Sequence, residues 1–143
     1  MTLRLQDQDE QRLDMQRKDI RSAFVSYASQ DRQRVAGVVQ GMQKARPDMD
    51  IFFDINSLRS GEDWEKILYQ ELDKRDTLFL CWSRNARSSS WVEREWRYAL
   101  ETKGIESIEP IPIEMPDVCP PPQELERKHF NDSLLYIINK TIT

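Results

Sequence analysis

Ala23-Phe24-Val25-Ser26-Tyr27-Ala28-Ser29-Gln30-Asp31 is the stretch whose reading decides the fold. Its short apolar run passes into small polar residues, the pattern of a strand buried on both faces that opens into a loop at its carboxyl end. Beyond it, Val35, Val38, Val39 and Met42 fall at i, i+3, i+4 and i+7 and predict a helix. Pro47 ends that helix, and Ser29 or Asp31 is placed to cap its start. Residues 49–53 read as a second strand and residues 54–61 as a loop of turn formers. Trp64, Ile67, Leu68 and Leu72 mark one face of the next helix, and residues 77–82 are an unbroken apolar strand.

The pattern continues toward the carboxyl end. Ser90 and Glu93 fit a capping box at the head of a helix, and Gly104 stands where a left-handed residue closes it. Residues 108–113 are apolar but interrupted by proline, as suits a short or edge strand. Leu134, Leu135 and Ile138 fit a terminal helix or strand equally well. Alternating buried strands and amphipathic helices predict an α/β fold with a parallel sheet covered on both faces. Ligands of such sheets bind at the carboxyl ends of the strands. Three segments therefore matter most: 26–31, 54–61 and 83–95.

Composition narrows the chemistry. The 143 residues suit one domain that needs no disulfide or metal to fold. Residues 1–19, with four basic and five acidic side chains, read as a polar or helical extension ahead of a domain at 20–143. A formal charge of −4 argues against binding nucleic acid through bulk charge. No apolar run approaches the roughly 20 residues of a membrane helix, and the first residues lack the apolar centre of a secretory signal. Cys81 and Cys119 lie far apart, as two reduced thiols of a cytoplasmic protein would. With His129 the only histidine, no closed zinc site of the usual kind is expected, and His129 itself reads as structural. No nucleophile elbow, P-loop or dinucleotide-binding glycine motif is present. If the chain is an enzyme, its expected catalytic group is a carboxylate.

Trp91 and Glu95 stand at i and i+4 on the first turns of the helix that begins near residue 90, at the rim of the sheet. Two readings are open there. In one the indole packs and the glutamate is solvated, as most helix glutamates are; in the other the pair is a stacking surface beside a negative charge.

Taken together, the segments resemble the TIR (Toll/interleukin-1 receptor) domain family. Residues 23–31 are similar to its first strand and turn, F-[IV]-S-[YH]-[AS]-x-x-D. Phe53-Asp54 with residues 58–64, Leu-Arg-Ser-Gly-Glu-Asp-Trp, resembles its second strand and BB loop. Residues 78–83 resemble its third strand, Trp91-x-x-x-Glu95 its W-x-x-x-E motif, and residues 111–113 its fourth strand. The resemblance spans about residues 20–140, although the last strand and helix are short for the family. It implies a flavodoxin-like three-layer domain with a central, mainly parallel five-stranded sheet. It also points to the bacterial-type branch, whose members cleave NAD+ to nicotinamide and ADP-ribose or a cyclic isomer in immune signalling or defence.

On that resemblance Glu95 is the catalytic residue. Tyr27, Ala28, Asp54, Leu58, Ser60, Ser83 and Trp91 line the substrate, which is NAD+ itself, with no further cofactor or metal. Tyr27 as a packed aromatic, and Asp54 and Ser83 as caps of their own turns, are the structural alternatives. Departure of neutral nicotinamide needs charge stabilisation at the ribose more than proton transfer, which suits a chain almost without histidine. The family also implies self-association through the BB loop, residues 54–61, and contacts with other TIR or effector domains. The competing reading is a non-catalytic interaction module in which Asp54 and Arg59 recognise partners. A receiver-type response regulator would need an acidic pocket where this chain has Ser26-Tyr27-Ala28, and is set aside.

Overall fold

The computed structural model describes residues 20–53, 58–115 and 118–126. Strands β1 (Ser22–Ser26), β2 (Asp50–Phe52), β3 (Thr77–Trp82) and β4 (Ile108–Pro112) form one sheet in the order β2-β1-β3-β4. All three pairings are parallel, with Phe24 opposite both Phe52 and Leu78, and Ser26 opposite Leu80. The central strands carry the core. Every residue of β3 is buried, as are Ala23, Phe24, Val25 and Ser26 of β1. Strands covered on both faces are apolar throughout rather than alternating, which is why these two runs are recognisable in the sequence.

Helices α1 (Arg32–Ala45), α2 (Trp64–Lys74), α3 (Arg84–Arg87) and α4 (Ser90–Lys103) flank the sheet. Helix α1 turns Val35, Val38 and Val39 inward, and α2 turns Leu68 and Leu72 inward. Ile67, expected on the same face, is 41% exposed. It lies one residue round the helix from Leu68, and the buried stripe is too narrow to include it. Strand β2 is three residues long, shorter than the five expected.

The prolines of β4 follow the hydrogen-bond ladder. Ile113 donates its N–H to the Trp82 carbonyl at 3.0 Å. Residues of alternate parity, Pro110 and Pro112, therefore occupy positions whose N–H would point away from β3, where none is needed. Among the described residues β4 has no neighbour on that side. The expected fifth strand, the terminal segment with Leu134, Leu135 and Ile138, His129 and the 1–19 extension lie outside the described residues.

The caps differ from expectation. Ser89, one residue before the predicted box, caps α4: its Oγ accepts the Val92 N–H at 3.2 Å. Replacing Ser89 with alanine is expected to cost about 1 kcal/mol in urea unfolding, whereas Ser90→Ala should leave the midpoint nearly unmoved. Asp31 precedes α1 but makes no side-chain cap, because its carboxylate is committed elsewhere. Gly104 closes α4 at φ 89°, in the left-handed region that glycine enters without strain. Among the described residues no helix is long and apolar enough to cross a membrane.

Candidate active site

The chain reverses direction across the sheet between β1 and β3: β2 lies on one side of β1, and β3 and β4 on the other. The carboxyl ends at this switch form the natural crevice of an open parallel sheet. Glu95 lies there. It comes from the second turn of α4, is 0% exposed, and meets Ser26, the last residue of β1. The Ser26 hydroxyl donates to Glu95 Oε1 at 2.7 Å. Arg59 Nη2 donates to Oε1 as well, at 2.9 Å, and to Oε2 at 3.2 Å. The solvated reading of Glu95 is thus overturned. The stripe Trp91, Glu95, Tyr98 turns its glutamate inward, next to the apolar stripe of Val92, Trp96 and Ala99.

The electrostatics follow from that placement. Removal from water is the largest influence on Glu95 and raises its pKa; the Arg59 charge and the hydrogen bonds from Ser26 and Arg59 pull it back. The balance leaves the carboxyl at about 7. Ser26→Ala removes one of the groups that favour the anion. Any activity that needs the Glu95 carboxylate should therefore show its acidic limb displaced to higher pH in that variant, as read from a pH–rate profile. An unmoved limb would show that Ser26 does not hold the carboxylate.

Trp91 is half-buried at the rim. Its ring meets Trp64 edge-on, with centroids 4.5 Å apart and planes at 82°. Arg59 Cζ lies 5.8 Å from the Trp91 centroid, and Arg94 Cζ lies 4.8 Å from that of Trp64. Each indole thus has a guanidinium over its ring, and that of Arg59 also holds Glu95. Cation–π contact and edge-to-face packing hold both rings in place.

The other predicted residues are distributed unevenly. Tyr27 is fully buried, stacked on Phe53 at 5.1 Å, and its hydroxyl accepts from Arg32 at 2.7 Å. Ala28 is buried beside it. Ser83 serves as a cap: its Oγ accepts the Ala86 N–H at 3.0 Å and donates to Asp31 Oδ2 at 2.5 Å. Asn85 donates to the other oxygen of Asp31 at 2.9 Å. Asp31 thereby ties the turn after β1 to the turn after β3 across the switch. Leu58 is buried and Ser60 exposed on the turn that carries Arg59, whose Gly61 N–H returns to the Leu58 carbonyl at 3.3 Å. Asp54 lies outside the described residues.

Sequence reasoning missed Ser26 as a partner of Glu95. The only signal was a serine ending a buried strand, where a hydroxyl requires an acceptor. Cys81 is core, with its thiol pushed up to about 12 by burial and by the Asp31 charge. The described residues contain no group of three or more metal-ligating side chains.

The chain is thus a parallel α/β domain with a buried carboxylate, held by a hydroxyl and a guanidinium, at the switch point of its sheet. Residues 23–137 match the model of the TIR domain, and the chain belongs to that family. None of the curated proteins compared with it matches.

Proposed function

We propose that the domain is an NAD+ glycohydrolase of the bacterial-type TIR branch, with Glu95 as its catalytic residue. The observation that carries this reading is the Glu95 carboxylate itself: buried at the strand-end switch, within hydrogen-bond distance of Ser26 and Arg59, and drawn up to about 7. A carboxylate in a site with little water stabilises positive charge far more than one in solvent. As the bond from ribose to nicotinamide breaks, its electron pair leaves with the ring and positive charge builds on the ribose. Glu95 faces that charge and accepts from the ribose hydroxyls. Water then adds to the ribose and a proton is released, giving nicotinamide and ADP-ribose; capture by another atom of the same molecule gives a cyclic isomer. The half-buried Trp91 forms the wall against which a ring stacks. Self-association through the BB loop, and a role in cytoplasmic immune signalling or defence, belong to the same reading.

The test is chromatography of the products formed from NAD+ by concentrated wild type and Glu95→Gln. Nicotinamide from the wild type alone supports the assignment; equal nicotinamide from both sinks it. One observation favours the interaction-module reading: Arg59 already covers both oxygens of Glu95, so the carboxylate is fully engaged as it stands. That reading predicts no nicotinamide from either protein and partner binding that survives Glu95→Gln.

A further inference from the structure

A substrate whose ribose is to meet Glu95 must take the place that Arg59 Nη2 holds at 2.9 and 3.2 Å. Opening the pair strands a guanidinium whose side chain is only 7% exposed. A buried charge that loses its partner is strongly disfavoured. Arg59 is also short of acceptors before it moves: its buried Nε has no hydrogen-bond partner, although buried N–H groups are almost always paired. The indole of Trp91 beneath it is a face, not an acceptor of that kind. A ligand that brings hydroxyls alone displaces Arg59 and leaves it unpaired. One that also brings an anion a few ångströms from the ribose gives it a new partner. The planar fork of arginine, with Nε and both terminal nitrogens as donors, fits the oxygens of a phosphate.

We propose that Arg59 is the phosphate ligand of this site, resting on Glu95 in the free protein and passing to a phosphate of the substrate when the ribose takes its place. The inference rests on the NAD+ reading for the ribose and for the phosphates beside it. One ion pair replaces another, no covalent bond changes, and the free carboxylate becomes available only to a ligand that carries both groups. The site thereby rejects nucleosides without a phosphate, even where their ribose is the same.

Nicotinamide mononucleotide and nicotinamide riboside differ only by that phosphate. Each is titrated against tryptophan fluorescence, which Trp91 reports from beside Arg59, using the full chain as wild type, Arg59→Gln and Arg59→Lys. Circular dichroism checks that each variant folds. The wild type should prefer the mononucleotide by roughly ten- to hundredfold, the equivalent of one charge-assisted hydrogen bond. Arg59→Gln should reduce the preference to within about threefold, and Arg59→Lys, a point charge without the fork, should lie between. If Arg59→Gln fails to fold, the lysine variant alone decides: a preference equal to that of the wild type overturns the exchange. So does an unchanged preference in a folded Arg59→Gln, or a wild type that binds neither ligand. If the preference follows Arg59 while NAD+ is not cleaved, the exchange stands and the NAD+-cleaving reading falls. If NAD+ is cleaved while the preference is indifferent to Arg59, the exchange falls and the NAD+-cleaving reading stands.

Discussion

Nicotinamide release from NAD+ should fall by roughly 10²–10³-fold in Glu95→Gln, the usual cost of deleting one preorganised charge-stabilising group, while the chain stays folded. The amide keeps the shape of the side chain and still offers one oxygen to Ser26 and Arg59, but it carries no charge to set against a developing cation. Glu95→Ala is a different experiment. It leaves the buried Arg59 without its anion, and removing one partner of a buried pair costs about 3–5 kcal/mol. The alanine variant should therefore lose both turnover and stability, and its inactivity alone would not establish a chemical role. Product chromatography and urea unfolding on both variants separate the two effects. A glutamine variant with near wild-type turnover would contradict the chemical role of Glu95, and an alanine variant as stable as the wild type would contradict the coupling of the buried pair.

The second expected result concerns stability against pH. Glu95 titrates near 7 in the folded protein, against an ordinary value of 4.5. Between these two pH values the folded chain holds a proton that the unfolded chain has released, so the contribution of Glu95 to stability declines as pH rises. It is fully present below about 4.5 and lost above about 7. A displacement of that size corresponds to about 3 kcal/mol. Other carboxyls act in the opposite sense: Glu114 is held low mainly by the Arg84 backbone N–H and also by its side chain, and Glu124 is lowered by a backbone hydrogen bond and by Arg97. The comparison must therefore be between wild type and Glu95→Gln, in which those groups are common and only residue 95 differs. The stability difference between the two should move by about 3 kcal/mol in favour of the glutamine variant from pH 4 to pH 8. A difference constant with pH would mean that Glu95 keeps an ordinary pKa despite its burial.

The readings that held were those in which local pattern and burial agree. The run Thr77–Trp82 is strand β3 to the residue, because a strand covered on both faces must be apolar at every position. The Trp91–Glu95 spacing likewise placed a carboxylate at the rim of the sheet, since i and i+4 share a helical face. What periodicity does not convey is which way a marginal residue turns. Ile67 is apolar and exposed, whereas Glu95 is charged and buried. Their neighbours on other elements decide both, and those neighbours are far away in sequence.

The sequence by itself determined the parallel α/β order and the strand-end position of the candidate site. These follow from patterns repeated over a few residues. Only the tertiary structure decided that Ser26 and Arg59, 69 and 36 residues from Glu95, meet at that carboxylate. Contacts of that separation depend on how strands and helices pack. The pKa of Glu95 and the placement of Arg59 are set by that packing, through the exclusion of water and the proximity of one guanidinium.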